Sequence, residues 1–166
     1  MTLLTMNNLA MLLRERGEPA AAEPLARRAM ETDRRVLGPD HWQTVQATGN
    51  LAAICLVRGR PAEAERLARE ALAVRSTDSR VSRGTSALRS VLGGALAEQG
   101  RDAEAEPLLI AGYEGQRAAR GASPRHVREA LERLIAFYDS RGRHASAEDW
   151  RLLRVDLNFP SDPFVR

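Results

Sequence analysis

The sequence predicts an all-α solenoid of about four antiparallel helix pairs, and three markers carry that prediction. Gly17, Gly59, Gly100 and Gly142 fall at intervals of 42, 41 and 42 residues. An Ala-Glu pair five residues later keeps the same intervals, at Ala22-Glu23, Ala64-Glu65, Ala105-Glu106 and Ala147-Glu148. So does a leucine eight residues earlier, at Leu9, Leu51, Leu92 and Leu134. A period of this length marks units too small to bury an apolar face alone, which stack to build a shared core. Composition agrees: 43% of the chain is hydrophobic but only 4% aromatic, which suits thin helices of Ala and Leu better than a sandwich or barrel.

Each repeat divides into two helices around its glycine. In the first repeat Leu9 and Met11-Leu12-Leu13 carry the apolar face of a helix that stops at Gly17, a residue able to take the left-handed conformation of a helix end. Pro19 and Pro61 stand where the second helix starts, a position at which the missing N–H costs nothing. Ala22, Leu25, Ala26 and Ala29 then follow at spacings of three and four on one face. Small residues there let the paired helix come close, so Ala64→Leu should overpack the contact by about 1–3 kcal/mol.

Between repeats, Asp40, Ser82 and Ser123 are spaced 42 and 41 apart, and each is a candidate N-cap. Pro124 reinforces the last of these boundaries. First helices are thus expected near 41–58, 83–99 and 124–141, and second helices near 19–37, 61–75, 102–119 and 144–156. Pro24 and Pro107, about five residues into their helices, should kink rather than break them. The repeats run approximately 1–39, 40–81, 82–122 and 123–156, with a tail at 157–166. Counting back from Asp40 puts the first N-cap two residues before Met1, so the chain reads as truncated, as excised from a longer one, or as a true start with a frayed first helix. Leu152, Leu153 and Val155 finish the last helix. Phe159 and Phe164 in the tail either fold back as a cap or belong to a disordered end.

The remaining composition excludes more than it assigns. All 25 basic residues are arginine, which GC-rich codon usage or an Arg-fork surface for phosphate would produce. Net charge is +3, and acids alternate with bases, as in Glu63, Glu65, Arg66, Arg69 and Glu70. Such interspersion marks a solvated helix face, whereas a nucleic-acid binder shows basic clusters. The one cysteine, Cys55, allows no intrachain disulfide and lies in an apolar run as a small buried hydrophobe. There is no signal peptide and no run of about 18 apolar residues, so a soluble, cytoplasmic chain is expected. His41, His126 and His144 fall near helix starts without metal-ligand spacing, and Cys55 has no histidine in register. No enzyme activity, cofactor or metal is expected. Gly93-Gly94, inside a first helix, should admit a neighbouring helix or a ligand closely.

In the second repeat Asn50-Leu51-Ala52, Gly59, Ala64 and Ala71 resemble the tetratricopeptide repeat (TPR). The period exceeds the usual 34 residues by about seven or eight. That longer form, with Asn7-Asn8-Leu9-Ala10, Glu23-Pro24-Leu25 and Leu37-Gly38-Pro39-Asp40-His41, is similar to the kinesin light chain subclass. A narrower likeness, carried by Gly112-Tyr113-Glu114-Gly115, Arg128 to Leu134 and Trp150-Arg151, is to C-terminal repeats that follow some bacterial serine/threonine kinase domains. No kinase motif is present, so that likeness would make the chain a regulatory or docking tail. The TPR resemblance implies a right-handed superhelix whose first helices line a concave surface for an extended peptide or helix of a protein partner. By phase that surface carries Asn7, Asn8, Met11, Arg14, Asn50, Ala53, Ser90, Gly94, Glu132 and Ala136. The asparagines there would bond a peptide backbone or satisfy neighbouring helix ends. A chaperone-type carboxylate clamp is disfavoured, since only Asn50 matches while Asn7, Met11, Ala87 and Val91 take the other positions. An Arg-driven nucleic-acid binder is the rival reading, and self-association through exposed repeat ends is a further expectation.

Overall fold

The computed structural model describes residues 3–74, 79–119 and 123–158. They form eight helices: α1 (Leu3–Glu15), α2 (Pro19–Leu37), α3 (Trp42–Val57), α4 (Pro61–Ala73), α5 (Ser79–Glu98), α6 (Asp102–Ala118), α7 (Pro124–Ser140) and α8 (His144–Asn158). No strand occurs among the described residues. Each helix packs on the next in sequence, and the odd-numbered helices also touch one another in a row. The result is an all-α repeat solenoid, with α1, α3, α5 and α7 as the row from which repeat stacks on repeat.

The glycine marker has a geometric cause. Gly17, Gly59, Gly100 and Gly142 have φ of 79°, 68°, 74° and 69°, left-handed values that side chains with a Cβ resist. Each glycine N–H bonds a carbonyl three residues back (Arg14, Leu56, Ala97, Asp139), and the following N–H reaches five back, to Leu13, Cys55, Leu96 and Tyr138. This paired closure satisfies two of the carbonyls a helix end leaves unpaired. It also turns the chain at once into the next helix, which explains why the loop never varies in length.

The alanine marker has a packing cause. Ala22, Ala64, Ala105 and Ala147 are all fully buried, each on a second helix where it faces the preceding first helix. Leu51, Leu92 and Leu134 are buried opposite them, and one apolar cluster runs from Ala10 to Ala147. Cys55 lies inside it. The α5–α6 pair is the tightest. A Cβ on Gly112 would lie 2.7 Å from the Ser90 backbone nitrogen, and one on Gly93 would lie 2.9 Å from that of Leu109. Gly93 thus admits a neighbouring helix, as its sequence position suggested.

Helix ends depart from expectation in three places. The N-cap of α3 is His41, whose Nδ1 accepts from Gln43 N–H at 3.3 Å; Asp40 stands one residue too early. The Thr44 hydroxyl instead ties down the turn, donating to the Gly38 carbonyl at 2.7 Å. Ser82 lies inside α5, which begins at Ser79. Ser123 is the N-cap of α7, but its side chain makes no capping bond. Pro24 and Pro107 sit inside unbroken helices. Phe159 and Phe164 lie outside the described residues.

Candidate functional site

Two arrays of charged side chains run along the solenoid. The first joins successive repeats through the glutamate of the Ala-Glu marker. Glu23 is paired with Arg58 and Arg60 of the next turn, as well as with Arg27 on its own helix. Glu65 accepts from Arg101 at 2.7 Å and from Gln99 at 2.8 Å, and Glu106 accepts from Arg143 and the Tyr138 hydroxyl, each at 2.8 Å. Arg60, Arg101 and Arg143 each follow the left-handed glycine directly, so the turn geometry aims each at the repeat before it. The Arg60 guanidinium, with Arg27 and Arg58 against an opposing effect of burial, holds the Glu23 carboxyl down at about 2. Further out, Arg27–Glu63 and Arg34–Glu70 bridge α2 to α4. These second-helix faces are largely occupied by the protein's own ion pairs.

The second array lies on the first helices and contains the residues expected there. Asn50 donates from Nδ2 to Asn7 Oδ1 at 3.0 Å, joining α3 to α1. The two asparagines therefore bond each other rather than helix ends. Ser90 is fully buried and accepts from Arg133 at 3.1 Å, joining α7 to α5. Ala53 is buried. Gly94 lets Leu56 and Arg133 close in, 2.9 and 3.4 Å from where its Cβ would be. Asn8, Glu132 and Ala136 are exposed and Met11 is half-buried. Asn7, Asn50, Ser90 and Gly94 are thus engaged between first helices and Ala53 is buried, while Asn8, Met11, Glu132 and Ala136 remain accessible.

Arg14 goes further than its own neighbourhood. Its side chain, only 7% exposed, reaches from α1 across to Glu129 on α7, with Nη2 to Oε1 at 2.8 Å and to Oε2 at 3.2 Å. Arg125 of α7 pairs with Glu15 of α1 beside it. Arg125 and Arg133 flank Glu129 at 3.0 and 3.5 Å on α7 itself. Burial pushes the Glu129 carboxyl up, but Arg14, Arg133 and Arg125 outweigh it and hold it below the usual carboxylate range. Burial lowers the pKa of Arg133. Sequence reasoning does not find Glu15, Arg125, Glu129 and Arg133. The i, i+4 spacing of Arg125, Glu129 and Arg133 is a visible sign of one charged face; their partners on α1 are not visible, because sequence distance hides them.

Among the described residues no group of His, Cys, Asp and Glu is placed to hold a metal ion, and no helix is long and apolar enough to cross a membrane. His126 and His144 are exposed, while His41 caps α3. Residues 1–77 match the family model of the tetratricopeptide repeat. The same glycine turn, buried alanine and inter-repeat glutamate continue beyond that segment to α8. The likeness to tetratricopeptide repeats itself spans α1 to α4. Proteins built from TPR units generally mediate protein–protein interaction and are typically non-catalytic. Two solved structures to which the chain is similar come from a protein of Podosopora anserina described as a kinesin light chain with nearly identical TPR-like repeats. One, a variant form of that protein, is 16% identical over 93% of this chain and 93% of that chain, with a TM-score of 0.43. The other is 16% identical over 94% of each, with a TM-score of 0.42. No curated protein matches the chain.

Proposed function

We propose that this TPR array is a non-catalytic scaffold that binds a peptide or helix of a protein partner along the row of α1, α3, α5 and α7. One observation supports the reading: Asn8 and Met11 on α1 and Glu132 and Ala136 on α7 are accessible on helices tied to the rest of the row by Asn50–Asn7 and Arg133–Ser90. The second helices also pair their charges, between successive repeats. The scaffold supplies rigidity. Stacked repeats hold the row in place, and the docking segment bears the ordering cost. Asn8 offers both an amide donor and a carbonyl acceptor to a partner backbone. The proposed setting is the cytoplasm.

The test is affinity capture from source lysate with the array and with a variant carrying Asn8→Ala, Met11→Glu and Ala136→Glu. None of these positions is buried, so circular dichroism should show an unchanged fold. A discrete protein retained by the array and lost from the variant is the expected result. Equal retention by both would contradict it. Retention of nucleic acid that falls steeply with salt would replace it with phosphate recognition.

A further inference from the structure

We propose that the first and fourth TPR units are clasped together across the concave face by the ion pairs Arg14–Glu129 and Arg125–Glu15, so that a partner reaches that face only when the clasp opens. This rests on the concave-face reading above for its regulatory meaning, but the clasp itself is a property of the free array. The two pairs link helices 115 residues apart in sequence for Arg14 and Glu129. Among the described residues no Cα of α1 lies within 8 Å of a Cα of α7, so side chains span the gap. All four residues belong to first helices, and Arg14 and Glu129 are linked to Ser90 through Arg133. An inner ion pair shielded by its neighbours and an outer pair about one third exposed make a contact that is strong when closed and that solvent ions can attack from outside. Water entering the gap weakens both pairs together, because the Coulomb attraction falls as the local dielectric rises.

The experiment places spin labels on cysteines introduced at the exposed Ala20 and Ala145, in repeats one and four, with Cys55→Ala as background. The distance between them is read without any partner. The clasp predicts one narrow distribution at low salt that shifts outward and broadens toward 1 M salt, where the screening length falls to about 3 Å. Glu15→Arg should produce the same shift at low salt, and the neutral Glu15→Gln a smaller one. A broad distribution at low salt, or a distance indifferent to both salt and Glu15→Arg, would overturn the clasp. The salt series needs no charge substitution, so a variant that fails to fold leaves the test intact. Loss of the clasp would not touch the binding proposal, whose readout is capture by the accessible residues.

Discussion

At the scale of single residues, the repeated markers separate into those that set backbone shape and those that set distance. Gly59 has a φ of 68° with nothing near its missing Cβ, whereas Gly112 has ordinary helical backbone and no room. Gly59→Ala should therefore cost about 1–2 kcal/mol through left-handed strain. Gly112→Ala should cost about 1–3 kcal/mol through overpacking against Ser90. Thermal melts of the two variants check both figures, and because the nearest atoms are backbone of Ser90, a second-site Ser90→Gly change should not rescue Gly112→Ala. Glu23 makes a different prediction. Its carboxyl titrates at about 2 against an ordinary 4.5, so the stability it contributes is present above about pH 4.5 and is lost as pH falls toward 2. Urea unfolding should show a steeper decline between pH 5 and pH 3 for the native chain than for Glu23→Gln. At neutral pH Glu23→Gln should be less stable by about 1.5–3 kcal/mol, since its charge-assisted bonds to three arginines are weakened together. Equal pH slopes would show that Arg58 and Arg60 do not hold Glu23 in solution.

At the scale of elements, the helices were legible in the sequence because each marker has a local cause. A left-handed glycine ends every first helix, and a proline or polar residue begins the next, so α2, α3, α4, α6 and α7 lie within two residues of their expected spans. What was not legible at this scale is how one helix end is satisfied. Asp40 has the better capping chemistry, yet the turn through Gly38 places His41 at the cap and gives the anchoring bond to Thr44. Such choices depend on the approach angle of the chain, which no single residue encodes. Thr44, 1% exposed, should accordingly matter more than Asp40. Thr44→Val keeps the shape but removes the bond to the Gly38 carbonyl, and should destabilise by about 1 kcal/mol in urea unfolding, whereas Asp40→Ala should change stability by less than about 0.5 kcal/mol. The reverse order would restore Asp40 as the cap.

At the scale of the whole molecule, periodicity foretold the stacking but not what the stack brings together. That Asn7 and Asn50 bond each other, and that Arg14 spans to Glu129, depends on how the helices stack over three repeats. Stability should follow nearest-neighbour rules. Glu65 ties the second repeat to the third through Arg101 and Gln99, so Glu65→Ala should loosen the halves. Single-tryptophan forms retaining Trp42 or Trp150 should unfold together in the native chain and at separate urea midpoints in that variant. The central claim, that the first-helix row is where a partner docks, is tested most directly by hydrogen–deuterium exchange of the array with and without its captured partner. Slowed exchange in α1, α3, α5 and α7, with α2, α4, α6 and α8 unchanged, is the predicted result. Slowed exchange confined to the second helices would place the partner on the outer surface and contradict the account.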